Sequence, residues 1–252
     1  MTEQQRFVQQ LWLDYVHQHP DIGALRLWPV DAPVECFTLV TVSQSPWSLA
    51  SLLPDLERHG YRPLYRYALP DRGLLACLFA GREEGPRLNI VELQTTRLSR
   101  QPRDTLLKLV ATGNAERTPL LGANRPWSMP DWDSYQQLHR AHPLAGWLAV
   151  MGPRVHHVAF DCHRLDRSLV ELDQALQQHG LHAGQNEDLA LPLSAMVEHR
   201  FYPTCSRRLA FALGDEHRVQ LGGLLLLEKQ ASAGQQRTAD VMLPPHSRCE
   251  IT

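Results

Sequence analysis

Hydrophobic and polar positions along the chain fall into two similar series. VECFTLVTV (34–42) and RVHHVAFDC (154–162) are strand-like runs, and each leads through a turn into a segment with apolar residues at helical spacing. In SLASLLPDLERHGYR these residues are Leu49, Leu52, Leu53 and Leu56; in SLVELDQALQQHGLH they are Leu169, Leu172 and Leu176. Both helical segments end in His-Gly. Glycine tolerates the left-handed conformation of a helix C-cap, and a basic side chain suits the negative end of the helix dipole. Cys36 to Gly60 is 24 positions and His157 to Gly180 is 23, so the two units match within one residue. Three strand-like runs follow each helix: YRPLYRYAL, GLLACLFAG and RLNIVELQT in the first unit, then AMVEHRFY, RRLAFALGD and RVQLGGLLLLEKQ in the second. The pattern predicts an α+β fold, with two duplicated β-α-β-β-β modules forming a curled mixed sheet around a central cleft, and flanking helices.

The expected boundaries are a helical segment over 1–30, a first module over 31–100, a helical connection over 101–150, a second module over 151–230 and a tail over 231–252, all within one compact domain. Helices are predicted over 3–18, near 101–111, and after the Pro-rich start of RPWSMPDWDSYQQLHRAHPLAGWLAVMG. Its tryptophans fix the connection between the modules. Strand alternation assigns faces. Val158, Phe160 and Cys162 suit the helix side, leaving His157, Ala159 and Asp161 opposite; Phe37 and Leu39 do the same, leaving Cys36, Thr38 and Val40 opposite. The two helix-averse faces then line a cleft, and His157, not His156, is the inward histidine.

Composition narrows the function. The 252 residues carry a net charge of −2 with arginines spread among acids, so no basic footprint for nucleic acid exists and a small polar ligand fits better. No window approaches 18 apolar residues and the N-terminus lacks a signal-type apolar region, so a cytoplasmic protein without membrane contact is expected. The five cysteines, Cys36, Cys77, Cys162, Cys205 and Cys249, show no C-x-x-C spacing, as expected for reduced thiols. Nucleophile-elbow, phosphate-loop, dinucleotide-binding and zinc-protease motifs are absent from the sequence.

Duplicated modules of this kind resemble the vicinal oxygen chelate fold of glyoxalases and extradiol dioxygenases. At finer grain, FVQQLWLDYVHQHP, HGYRPLYRYALPDRGLLA, IVELQTTRLS, RPW-MP-W-SYQQL and VHHVAFDCHRL resemble the 2-oxoadipate dioxygenase/decarboxylase family, formerly a domain family of unknown function. The resemblance implies an Fe(II) enzyme that converts a 2-oxo dicarboxylic acid into a 2-hydroxy acid with loss of carbon dioxide. Two histidines and a carboxylate would hold the iron, and an arginine would pair with the substrate carboxylate. His157 matches the family's second-module histidine. Cys36 stands where the first-module histidine belongs, and Val40 where the arginine belongs. The carboxylate position falls on Leu225 or Leu226, with Glu228 about 7 Å further along the strand. Glu92 matches a family glutamate and is the internal equivalent of that position. The resemblance thus implies a metal set of His157, Glu228 and Cys36, with Glu92 as the alternative ligand.

Arg62 and Arg66, alternating with Leu64, are the candidate anion binders, against the plainer reading of a solvated strand edge. Two functional expectations follow. One is a drifted Fe(II)-dependent dioxygenase/decarboxylase acting on a 2-oxo or other small carboxylic acid; the other is a catalytically degenerate protein, without metal, that binds a small ligand or a protein partner.

Overall fold

The computed structural model describes residues 1–25, 27, 33–114, 125–184, 194–230, 237–242 and 248–249. Helix α1 (Glu3–Gln18) opens on a capping box, in which the Thr2 hydroxyl accepts from the Gln5 amide and the Gln5 side chain accepts from the Thr2 amide. A short turn of helix, α2 (Pro20–Gly23), follows. The first module is β1 (Cys36–Val42), α3 (Leu49–Arg58), β2 (Tyr61–Leu69), β3 (Leu74–Gly81) and β4 (Arg87–Leu93). Helices α4 (Arg100–Ala111), α5 (Trp132–Ala141) and α6 (Pro143–Met151) form the connection. The single helix expected after RPWSMP is two helices, because Pro143 cannot continue α5 and instead takes the first position of α6.

The second module holds β5 (Arg154–Asp161), α7 (Leu169–Gln178), β6 (Val197–Pro203), β7 (Arg207–Ala210), β8 (Glu216–Val219) and β9 (Gly223–Lys229), and β10 (Arg248–Cys249) lies near the C-terminus. The eight-stranded sheet runs β10-β2-β3-β4-β1-β5-β9-β6. Its two halves join where β1 pairs antiparallel with β5. Gly60 and Gly180 have φ of +85° and +79°, the left-handed caps expected at the two His-Gly pairs.

The second module departs from the predicted strand pattern. RVQLGGLLLLEKQ divides into β8 and β9, and RRLAFALGD supplies only β7, which leaves the sheet and pairs with β8 as a separate hairpin. That hairpin is held by aromatic packing on α5: the His217 ring stacks on Trp132 at 3.8 Å and Phe211 meets Trp132 edge-on at 5.0 Å. With β7 gone from the sheet, β6 pairs directly with β9.

The sheet separates two cores. Phe37, Leu39, Val158, Phe160, Leu224 and Leu226 face α1, α3 and α7. Val40, Val91, Ala159, Leu225 and Leu227 face the other way, toward residues of α4, α5 and α6. Helix α6 is buried from Leu144 through Met151, as its apolar character on all sides requires.

A buried acid fastens the chain beyond β9 to the sheet. Glu35, 1% exposed, accepts from Arg164 at 3.0 Å, Arg237 at 3.4 Å and the Ala239 amide at 3.0 Å. Beside it Arg87 donates to Asp240 and the Thr238 hydroxyl to Asp161. Replacing Glu35 by alanine strands two guanidinium groups, each partly exposed, and one amide. The expected loss is about 2–3 kcal/mol in urea unfolding, and a loss below about 1 kcal/mol would contradict the assignment.

Candidate functional site

The face opposite α3 and α7 carries a polar row among apolar neighbours. Register pairs Asn89 with Thr38, Thr38 with His157, and His157 with Gly223, so three polar side chains cross β4, β1 and β5 side by side. All three are buried. Asn89 Oδ1 and Thr38 Oγ1 have no hydrogen-bond partner among the described residues. Buried polar atoms left in this condition are costly and are a signature of a site completed by water or ligand.

A bulge decides which neighbours join the row. Between Thr38 and Leu39 the register shifts by one on β5: Thr38 faces His157, yet Leu39 faces Val155 and Val40 faces Arg154. The extra residue interrupts strict alternation. Val155 and Val158 both pack in the helix-side core, and the two residues between them turn the other way. His156 therefore does not point to the helix side. Its ring lies 5.0 Å from Trp147 of α6, and its Nδ1 is 2.9 Å from Nδ1 of His157. One ring must donate and the other accept, and since burial lowers the pKa of both, the pair is neutral and in opposite tautomers. Gly222 makes room for the bulge: its φ is +149°, and a Cβ there would come within 2.0 Å of the His156 carbonyl oxygen.

The same bulge places Arg154 directly opposite Val40. Strict alternation from Val158 would have given Arg154 the helix side, so the strand pattern does not mark it as a site residue. It is 5% exposed, and burial lowers its pKa against the opposing attraction of Asp14. His19, beyond the end of α1, lies beside Gly222: its Nδ1 is 3.1 Å from the Thr204 hydroxyl, and its Nε2, like Nε2 of His156, is buried without a hydrogen-bond partner among the described residues.

The carboxylates expected as ligands stand elsewhere. Glu92 accepts from the Leu49 amide at 2.6 Å, and Glu228 from the Leu169 amide at 3.3 Å. Leu49 and Leu169 are the first residues of α3 and α7, so each glutamate holds the N-terminus of its module's helix, where the dipole favours negative charge. Both are on the sheet face away from His157. Leu225 and Leu227, not a carboxylate, occupy β9 on the polar-row face.

Cys36 shares the face of His157 but pairs with Ala159, and burial raises its thiol pKa far above the usual range, which keeps it protonated. Arg62 and Arg66 do not converge either. A second bulge, between Pro63 and Tyr65, lets Arg62 pair with Ala80 while Arg66 pairs with Cys77, whose side chain belongs to the helix-side core. Among the described residues no three His, Cys, Asp or Glu side chains gather as metal ligands. This donor arrangement does not fit a two-histidine, one-carboxylate iron centre.

No protein-family model matches the chain, and none of the curated proteins does. Solved structures do match. A Shewanella frigidimarina protein with a working assignment as a hydrolase is 19% identical, with 95% of this chain and 97% of that one covered and a TM-score of 0.82. Hydroxyglutarate synthase from Oryza sativa, solved in complex with 2-oxoadipate, is 19% identical over 99% and 89% with a TM-score of 0.80. A protein from Ralstonia eutropha, provisionally placed in the glyoxalase superfamily, is 16% identical over 92% and 84% with a TM-score of 0.74. The chain thus has a glyoxalase-like fold. More particularly, its fold is that of the hydroxyglutarate synthase structure over nearly its whole length. No helix among the described residues is long and apolar enough to cross a membrane.

Burial holds the pKa values of His157 and His19 down to about 4, and that of His156 well below its usual value through burial first and the neighbouring rings second. These folded values lie under the unfolded value of 6.5, so the unfolded chain gains protons first on acidification. Stability is therefore full above about pH 6.5 and declines toward about pH 4, by up to about 3 kcal/mol each for His157 and His19. Urea midpoints should fall between about pH 7 and about pH 5, and fall less in His157→Gln. Equal midpoints in the wild type would contradict the buried, neutral pair.

Proposed function

We propose that the chain is a diverged member of the 2-oxoadipate dioxygenase/decarboxylase family that has given up iron chemistry and binds a small carboxylic acid in its cleft. The observation that carries this reading is the separation of Glu92 and Glu228 from His157: both glutamates hold helix N-termini on the opposite face of the sheet. An iron centre would need one of them to leave that role and cross the sheet. Cys36, protonated and buried, is a poor substitute for the missing histidine.

The buried polar row nevertheless offers means of holding a ligand. Arg154, opposite Val40, supplies a buried positive charge that suits a carboxylate. Among the described residues, Thr38 Oγ1, Asn89 Oδ1 and His156 Nε2 are without hydrogen-bond partners; the Thr38 hydroxyl can donate to a 2-oxo oxygen, and Asn89 Oδ1 can accept from a 2-hydroxy group. Thr38 and Val40 are two residues apart on β1, about 7 Å, which is the reach of a small acid. Within this reading His157 fixes the orientation of His156 instead of binding metal.

Calorimetric titration with 2-oxoadipate, 2-oxoglutarate and lactate, alongside oxygen uptake with Fe(II) and the same acids, tests the reading. Saturable binding of at least one acid is expected, about tenfold weaker or more in Arg154→Gln and in Asn89→Leu, with no oxygen uptake above buffer. Circular dichroism checks that both variants fold. Iron-dependent oxygen uptake abolished by His157→Ala would establish the enzyme instead. Absence of binding by all three acids would remove the proposed ligand class.

A further inference from the structure

We propose that a second site, outside the cleft, binds a small oxyanion carrying two or more negative charges. The site is a cavity of about 630 Å³ between the turn that joins β2 to β3 and the junction of α5 with α6. Cavities of this size suit metabolites. Three arginines, Arg72, Arg97 and Arg140, line it together with His139 and His142, against a single acidic residue, Asp71. A net-positive hollow stands out in a chain whose total charge is −2.

The frame around these cations is fixed. His142 Nδ1 accepts from the Leu144 amide at 3.1 Å, so the ring hydrogen is on Nε2, which donates to the Arg72 carbonyl at 3.0 Å. Arg97 donates to the Pro70 carbonyl at 3.0 Å. Gly73, at φ +61°, lets the turn close on Arg97, since a Cβ there would be 2.9 Å from Arg97 Cβ. The β2–β3 turn is thereby tied both to the α6 N-terminus and to the segment after β4, which fixes two walls of the cavity relative to each other.

Neither Arg97 nor Arg140 forms an ion pair among the described residues, whereas eight of the arginine ion pairs elsewhere use a carboxylate within 4.0 Å. The first amides of α6 are occupied by His142, so the anion would rest on guanidinium groups and not on the helix end. Planar guanidinium forks bind phosphoryl and carboxylate oxygens alike, which makes phosphate esters and polycarboxylates the two sources of one chemistry. Leu93, on the cavity wall, is four residues beyond Asn89 on β4, about 13 Å, so the cavity is separate from the polar row. This proposal stands independently of the cleft reading.

Calorimetry on the full chain with inorganic phosphate, pyrophosphate and citrate, at matched ionic strength, tests it. Saturable binding near one equivalent is expected, weakened about tenfold in Arg140→Gln and in Arg97→Gln. Preference for pyrophosphate assigns a phosphoryl ligand, and preference for citrate a polycarboxylate; either supports the site. No saturable binding, binding unchanged in both variants, or an effect reproduced by chloride at the same ionic strength overturns it.

Discussion

The pairing of β1 with β5 is the constraint on which the rest of the structure depends. It joins the two modules into one sheet, and it contains one residue too many on the β5 side. Because side chains alternate along a strand, a single extra residue reverses the face of everything beyond it. On one side of the bulge Val158 and Phe160 keep to the helix-side core. On the other, Val155 keeps to that core while Arg154 comes to lie opposite Val40. Both histidines are drawn to the same face. Without the bulge, this face of the sheet would carry one histidine and no arginine from β5.

The modules also repeat an electrostatic device. Glu92 and Glu228 occupy equivalent places on β4 and β9, and each accepts from the first amide of its own helix. This symmetry explains why both halves keep a glutamate near the end of the last strand while neither glutamate is near His157. A carboxylate used to hold a helix N-terminus stabilises the module. In this chain the duplicated scaffold is kept and the chemistry expected from the resemblance is not supported by the positions of its acids.

Much of the fold was legible in the sequence because its signals are local. Leu49, Leu52 and Leu56, and Leu169, Leu172 and Leu176, are buried at the predicted spacing, and the glycines after His59 and His179 adopt left-handed conformations. Faces were legible for Phe37, Leu39, Val158 and Phe160 for the same reason. What escaped depends on long-range contacts. The bulge at His156 has no glycine or proline of its own to announce it; the residue that permits it, Gly222, is far away in sequence. The departure of β7 from the sheet follows from Phe211 and His217 meeting Trp132, which no pattern within the second module reveals. The side on which Glu228 lies was readable only relative to Leu226, whose own face had to be seen.

Glu92 and Glu228 serve one face of the sheet and His157 the other, a separation that leaves neither glutamate beside His157 to complete an iron site. Iron content per chain after anaerobic loading with Fe(II) and desalting tests this most directly. The account predicts no retained iron beyond that of His157→Ala, and the same low value in Glu228→Gln. One equivalent retained by the wild type and lost in both variants would contradict it.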